Sequence, residues 1–194
     1  MLTSWPESIE RVAGADRPVA DLVRAARQQP AQFAAIYDLF VDNVYRYMMA
    51  RTGQAADAQD LTQQTFLAAL EALPRYDERF PFASWLFGIA RHKVTDFYRR
   101  RRPESDLGAA ALVQSHERLP DEQVGDQMQI DQVARKLRLL APDRAEALTM
   151  RLFADLSVAE IAFLLGKQEP AVRMLIFRGM ADLRRQLGRV SEAL

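Results

Sequence analysis

The chain has 194 residues, of which 49% are hydrophobic and 27% are charged, a composition typical of one or two globular domains. It contains no cysteine and two histidines, which excludes disulfides, cysteine nucleophiles and a metal site built mainly on imidazole. The formal net charge is zero, but residues 75–102 carry +5, residues 103–131 carry −6 and residues 132–194 carry +4, so the sequence predicts two surfaces for a polyanion rather than uniform coating of nucleic acid.

Hydrophobic spacing predicts helices in the first half of the chain and no strand. The predicted helices cover 19–27, 33–52, 55–73 and 82–101. Gly53 ends the second helix, Pro74 ends the third, and Ser84 is a candidate N-cap for the fourth. The apolar residues of the third helix are Leu61, Phe66, Leu67, Leu70 and Leu73.

The second half of the chain is separated from the first by a linker pattern. Residues 103–120 combine two prolines, a glycine, an alanine run and scattered acids, which is typical of a flexible connection. Helical spacing resumes after it. The predicted helices cover 121–140, 142–153, 158–165 and 170–187. The fold class is therefore all-α, with two small helical domains joined by a flexible linker. The predicted divisions are an N-terminal extension (1–18), a first domain (19–102), an acidic linker (103–120) and a second domain (121–194).

A helix-turn-helix pattern lies near the end of the chain. Ser157 and Glu160 have the spacing of a capping box, Gly166 suits a left-handed turn, and Pro170 suits the first turn of the next helix. In a DNA-binding helix-turn-helix the second helix enters the major groove, although an ordinary helical hairpin has the same periodicity. The residues that would lie near DNA are Gln168, Glu169, Ala171, Arg173, Met174 and Arg178.

The second helix of this pattern contains a continuous apolar run over 174–177. We expect Val172, Ile176 and Leu183 to form its packed face. The remaining apolar residues cannot all share that face. The helix is therefore either buried on two sides or exposes an apolar strip to a partner.

Residues 75–102 contain aromatic side chains interspersed with basic ones. Aromatic platforms beside a cationic groove suit unstacked single-stranded bases, which need a π-face and neutralised phosphates. A second interpretation is that the aromatics are core residues and that the arginines over 99–102 form a solvated helix end. The sequence contains no nucleophile–base pair, no glycine-rich phosphate loop and no metal-ligand spacing. We therefore expect no catalytic residue, no metal and no cofactor.

Three segments resemble bacterial sigma factors. Residues 57–70 resemble region 2.2, residues 82–100 resemble regions 2.3 and 2.4, and residues 156–183 resemble region 4. Their order and spacing are similar to those of the extracytoplasmic-function (ECF) subgroup of the sigma-70 family, in which a linker joins only region 2 and region 4.

The resemblance implies a promoter-specificity subunit of bacterial RNA polymerase rather than an enzyme. Its implied partners are core RNA polymerase, promoter DNA as duplex and melted strand, and an anti-sigma factor. The helix-turn-helix residues named above would read the −35 element. The residues that match the polymerase-binding positions are Asp57, Asp60, Leu61, Gln63, Gln64 and Phe66. The residues that match the −10 positions are Tyr76, Phe80, Phe82, Trp85, Arg91, His92, Lys93, Asp96, Arg99 and Arg100.

The helix-turn-helix also departs from the family pattern. The departures are at Lys167, Pro170, Ala171, Met174, Leu175 and Met180. They are compatible with a variant −35 element, with greater reliance on region 2, or with a region 4 that binds protein. Two other classes stay open at this point: a DNA-binding regulator that does not engage polymerase, and a sigma-like interaction module. The sequence has no run of about 18 apolar residues and no secretory leader pattern, so we expect no membrane insertion and a cytoplasmic protein.

Overall fold

The computed structural model describes residues 17–101 and 133–191, with side chains from 19 as far as 186. These residues form helices and connecting turns and no strand, which confirms the all-α prediction for the described part of the chain. Most of the predicted N-terminal extension, the acidic linker and residues 121–132 lie outside it. The helices are α1 (Arg17–Gln28), α2 (Phe33–Thr52), α3 (Ala55–Ala72), α4 (Phe82–Arg101), α5 (133–138), α6 (Pro142–Phe153), α7 (Val158–Leu165) and α8 (Glu169–Ser191).

Local signals in the sequence explain where α2 ends and where α7 begins and ends. Gly53 adopts a left-handed conformation (φ 75°), and its N–H donates to the carbonyl of Met49, which closes α2 as predicted. Gly166 does the same for α7 at φ 63°. The predicted capping box at the start of α7 is confirmed: the Ser157 hydroxyl accepts from the Glu160 N–H, and the Glu160 carboxylate accepts from the Ser157 N–H.

The first helical unit, α1 to α4, packs around wholly buried side chains such as Ile36, Tyr47 and Phe87. Leu67, an apolar residue of α3, is 61% exposed on the outer face of the helix. The prediction that Ser84 caps α4 is wrong. Ser84 lies inside α4 and is fully buried, so it does not cap the helix.

The two helical units pack against each other. Helix α6 contacts α2, and α7 contacts α4, so one hydrophobic core continues across both units. The Ser84 hydroxyl donates to Oε1 of Glu160 in the buried part of this interface. Nearby, Arg91 Nε lies 3.0 Å from Glu146 Oε1. The second unit is therefore held on the first by polar contacts as well as by apolar packing.

Candidate polymerase-binding and DNA-binding surfaces

One face of α3 carries the exposed part of the predicted polymerase-binding set. Asp60 and Gln63 are exposed, and the Asp60 carboxylate accepts from Gln64 Nε2 at 2.7 Å. Asp57 is half-buried, and its carboxylate lies 3.2 Å from Nη1 of Arg101 at the end of α4. These side chains share one polar surface that an incoming protein can reach.

Two members of the predicted set are core residues instead. Leu61 is 3% exposed and Phe66 is 4% exposed. The Phe66 ring packs against Tyr37 at 4.8 Å and against Phe33 at 6.4 Å between ring centroids. The Phe66 ring therefore lies against α2, and Leu61 is buried as well, so neither side chain is on the exposed face of α3. They hold α3 in place behind the polar face.

Leu67 is also exposed on this face, although it is not among the residues that the resemblance identifies. It follows Asp60 by seven residues and Gln63 by four, so all three lie on one side of α3. This spacing, which is visible in the sequence, predicts that Leu67 lies on the polar side of α3. A large exposed leucine among carboxylate and amide groups is a typical element of a protein-binding surface.

The aromatic side chains before and within α4 form a cluster rather than an open platform. Trp85 lies 4.9 Å from Tyr76 and 5.3 Å from Phe82 between ring centroids, and Phe40 lies 5.4 Å from Phe82. Tyr76 and Phe82 are buried by this packing, whereas Trp85 and Phe80 are half-buried. Of the predicted −10 aromatics, only Trp85 and Phe80 therefore keep a surface that a base can touch.

Arg27 holds the connection between α3 and α4, and the sequence analysis did not identify it. Its Nη1 lies 2.6 Å from Glu78 Oε1, and its Nε donates to the Leu73 carbonyl at 3.1 Å. Its second Nη donates to the Tyr76 carbonyl, and the guanidinium lies 5.7 Å from the centre of the Tyr76 ring. These partners are about 50 positions away in the sequence, so no local pattern could reveal them. In the same connection, the side-chain hydrogen bond and the negative charge of Asp77 raise the pKa of Arg79.

Most of the predicted −10 residues on α4 lie on its outward side. Trp85, His92, Asp96 and Arg99 follow one another at helical spacing and share a face. Nδ1 of His92 lies 3.0 Å from the Gly88 carbonyl oxygen, and the carboxylate of Asp96 lies 2.9 Å from Nη2 of Arg99. Beside this face, Lys93 is half-buried and Arg100 is exposed. The face combines one aromatic ring with cations and suits a nucleic-acid strand.

Arg91, which is also in the predicted −10 set, does not lie on the outward side of α4. It lies on the side of α4 that faces the second unit, together with Ser84 and Gly88. Its guanidinium is paired with Glu146, and its side chain is 33% exposed. In this arrangement of the two units Arg91 is occupied by an internal partner instead of being available to DNA.

The predicted −35 residues lie at the start of α8 and just before it. Gln168, Ala171, Arg173, Met174 and Arg178 are exposed, and Glu169 is half-buried. Ala171, Met174 and Arg178 share one face, and Arg173 Nη2 lies 2.7 Å from Glu169 Oε2. The structure therefore brings the six residues together on the exposed end of the second helix of the motif.

The apolar run in α8 is exposed rather than buried on two sides. Val172 and Leu183 are buried as predicted, and Ile176 is half-buried. Met174 is 47% exposed and Phe177 is 71% exposed. Of the two alternatives from the sequence, the structure supports the exposed apolar strip.

Among the described residues, no helix is both long and apolar enough to cross a lipid bilayer. Within the same ranges, no group of three or more histidine, aspartate or glutamate side chains could hold a metal ion.

Comparison with protein families assigns both helical units. Residues 36–104 match the model for Sigma-70 region 2, and residues 130–183 match the model for Sigma-70, region 4. The chain is 33% identical over 183 residues to the ECF RNA polymerase sigma factor BldN of Streptomyces coelicolor, an alignment that covers 88% of this chain and 69% of the relative.

Solved structures give the same fold. The structure of CnrH in complex with the cytosolic domain of CnrY aligns with a TM-score of 0.64 and 25% identity, over 87% of this chain and 96% of that chain. The sigma factor RpoE of Bartonella quintana, solved with the anti-sigma factor NepR, aligns with a TM-score of 0.66 over 80% of this chain and 96% of that chain. At 19% identity, the second similarity concerns the fold alone.

Proposed function

Because this chain belongs to the ECF sigma factors of the sigma-70 family, the promoter-specificity subunits of bacterial RNA polymerase, we propose which of its surfaces performs each step of initiation. The observation that carries the proposal is the order of the two matches: region 2 falls on α2 to α4 and region 4 falls on α5 to α8. The family match favours this assignment over a regulator that does not engage polymerase.

We propose that the exposed face of α3 binds core polymerase. Asp60 and Gln63 supply carboxylate and amide groups, and Leu67 supplies an apolar contact in the middle of the same face. Leu61 and Phe66 act only by fixing α3 on α2, because they are buried. A polar face with one apolar anchor fits a partner helix of complementary charge.

The outward face of α4 holds the melted −10 element in this proposal. Taking a base out of the duplex costs a few kcal/mol, which stacking and phosphate contacts must offset. Trp85 offers the stacking surface, and Arg99 and Arg100 neutralise phosphates along the strand. The paired Arg91 joins this set only after its contact with Glu146 breaks.

The N-terminal end of α8 reads the −35 element as duplex. Gln168, Glu169 and Arg173 carry hydrogen-bonding groups for base edges, and Met174 can contact a thymine methyl group. Arg178 lies one turn further along the same side, where it meets phosphate.

The family is one of specificity subunits rather than enzymes. We propose that this chain likewise catalyses no reaction of its own and acts in the cytoplasm. An anti-sigma factor is its proposed regulator, since both aligned structures are complexes, one of them with a protein described as an anti-sigma factor.

The test is gel filtration of the chain with bacterial core RNA polymerase, followed by run-off transcription on a library of genomic fragments. The wild-type chain should co-elute and give discrete transcripts. Asp60→Ala combined with Leu67→Ser should abolish co-elution, because both substitutions act on the proposed polymerase surface. Leu139→Ser changes another exposed leucine, 56% exposed in the second unit, and should have no effect. Co-elution of the double variant at wild-type level would refute the assignment of α3.

A further inference from the structure

Arg27 of α1 makes three directed contacts with the connection between α3 and α4 (residues 73–81). Its Nη1 lies 2.6 Å from Glu78 Oε1, and its Nε donates to the Leu73 carbonyl at 3.1 Å. The second Nη donates to the Tyr76 carbonyl. A guanidinium is planar and its N–H groups point in fixed directions, so the acceptors bound to it are held in one arrangement. One side chain therefore fixes three points of the connection.

The helix that carries Arg27 is anchored in the core. Val23 and Ala26 of α1 are buried, and α1 packs against α2. The side chain of Arg27 is 26% exposed, so water competes with its partners less than it does at Arg24, which is 61% exposed one turn earlier. The match to region 2 begins at residue 36, so Arg27 lies outside the residues that this match assigns. The surfaces proposed above do not include it.

Tyr76 links the Arg27 contacts to the surface that a base can touch. The Arg27 guanidinium lies 5.7 Å from the centre of the Tyr76 ring, in addition to its bond with the Tyr76 carbonyl. The same ring lies 4.9 Å from the centre of the Trp85 ring, and the Tyr76 hydroxyl donates to the Phe80 carbonyl. Trp85 and Phe80 are the two predicted −10 aromatics that stay partly exposed. A displacement of Tyr76 therefore changes the support of both.

Arg27 also balances a negative charge in the connection. Glu78 lies two positions after Tyr76, and its carboxylate would repel the phosphates of a bound strand. Arg24 approaches the same carboxylate, but its Nε is 3.9 Å away and its Nη2 lies 3.0 Å from Asp21. Arg24 therefore shares the charge of Arg27 without the close contact, which makes it a matched control.

We propose that Arg27 is a positioning residue for the capture of a −10 base, a role that deepens the proposed function and rests on its assignment of the −10 element to α4. Arg27 holds the connection so that Tyr76 supports Trp85 and Phe80 before the strand arrives. A connection that is ordered in advance favours tight and selective binding, because the strand does not have to supply the free energy of ordering it. Arg27 itself touches no base.

The test measures fluorescence anisotropy of a labelled single strand with the holoenzyme formed from core polymerase and the full chain. One strand carries the −10 sequence of a promoter identified by run-off transcription, and the control strand has the same bases in scrambled order. Arg27→Ala should weaken binding of the −10 strand by about tenfold. Binding of the scrambled strand should change by less than about twofold, because it depends on phosphate contacts that α4 still makes.

Three further variants separate position from charge. Arg27→Lys keeps the charge but not the planar fork, so we expect it to weaken binding of the −10 strand by about threefold. Glu78→Gln removes the ion pair and leaves both carbonyl contacts of Arg27, so it should weaken binding less than Arg27→Ala does. Arg24→Ala is the matched control on the same helix and should stay within about twofold of the wild-type chain.

Hydrogen exchange of the free chain, followed by mass spectrometry, tests the positioning without polymerase. In Arg27→Ala the amides of residues 73–81 should exchange about tenfold faster, because the connection opens more often. The amides of α6 are the internal reference and should be unchanged. Arg24→Ala should match the wild-type chain throughout. Protection of α6 also establishes that the variants are folded.

Failure of the proposed function and failure of the Arg27 assignment give different results. A wild-type chain that does not co-elute with core polymerase would refute the proposed function and the −10 role, and hydrogen exchange would still decide whether Arg27 fixes the connection. When the wild-type holoenzyme binds the −10 strand, four results overturn the assignment. They are unchanged hydrogen exchange in Arg27→Ala, unchanged affinity of that variant for the −10 strand, equal weakening of the two strands, and an equal effect of Arg24→Ala.

Co-elution with core polymerase separates positioning from a purely structural role. Arg27→Ala should bind core polymerase as the wild-type chain does, because the α3 face is intact. A loss of polymerase binding in parallel with strand binding would overturn the positioning role. If Arg27→Ala does not fold, Arg27→Lys decides the question by the same two measurements.

Discussion

The hydrogen bond between Ser84 and Glu160 links the two helical units and predicts a measurable coupling between them. Ser84 is fully buried and Glu160 is 9% exposed, so water competes weakly for either group. Oε1 of Glu160 accepts from the Ser84 hydroxyl, while Oε2 accepts from the Ser157 N–H at 2.7 Å. One carboxylate thus holds the start of α7 and the contact with α4. Ser84→Ala removes the second of these interactions and leaves the first intact.

The size of the effect follows from the charge of the acceptor. A hydrogen bond to an ionised group contributes about 1.5–3 kcal/mol, and removal of one partner leaves the other buried without it. We expect Ser84→Ala to lower the free energy of unfolding by about 2 kcal/mol. For a chain of this size, that corresponds to a fall in Tm of about 4–8 °C. Glu160→Gln should cost a similar amount because it removes the charge.

The assay is urea unfolding followed by circular dichroism, arranged as a double-mutant cycle. The double variant should recover about 1–2 kcal/mol relative to the sum of the single changes, because Ser84→Ala removes the contact that Glu160→Gln weakens. Ser157→Ala with Ser84→Ala is the control pair: both residues bond to Glu160, but not to each other, so we expect weaker coupling. Additivity of Ser84→Ala and Glu160→Gln within about 0.3 kcal/mol would refute the direct contact.

Two further predictions concern buried or strained positions. The Tyr47 hydroxyl is buried and has no hydrogen-bond partner among the described residues, so Tyr47→Phe should preserve or raise stability, by up to about 1 kcal/mol in urea unfolding. Burial raises the pKa of Tyr47 above its ordinary value of 10.0, so this residue should make stability fall as the pH rises through 10. Tyr47→Phe should lessen that fall. An identical pH dependence of stability in the variant and the wild-type chain would contradict the burial of the Tyr47 hydroxyl. Gly53→Ala should lower the free energy of unfolding by about 1–2 kcal/mol, because φ is 75° and the Arg138 guanidinium occupies the place of a Cβ. An unchanged urea midpoint for Gly53→Ala would contradict this prediction.

The sequence predicted those features that depend on neighbouring residues. Gly53, Gly166 and the Ser157–Glu160 capping box are local signals, because each acts on backbone groups within a few positions. The end of α2 and both ends of α7 were therefore predictable. Hydrophobic spacing also located the buried residues Val172 and Leu183, since one face of a helix must pack.

The features that the sequence did not predict depend on distant partners. Ser84 has the residue type of a helix cap, but its bond runs to a residue 76 positions away. Phe66 matches a family contact position, yet its ring packs against α2. The family positions on α3 therefore include exposed side chains and buried ones, and the resemblance alone did not separate the two. The apolar character of Leu67 did not reveal that it is exposed, whereas its position relative to Asp60 and Gln63 places it on the polar face.

The close packing of the two units has a consequence for assembly on a promoter. The −10 and −35 positions are about 25 base pairs apart, which is roughly 85 Å along a straight duplex. Because Ser84 contacts Glu160, the path from Arg100 through this contact to Met174 spans at most about 60 Å. Under the proposed assignment of the two DNA surfaces, the packed chain therefore reaches only one of the two elements at a time. Under the same assignment, binding to polymerase and DNA has to supply the free energy that separates the two units, and this cost sets a threshold for promoter occupancy.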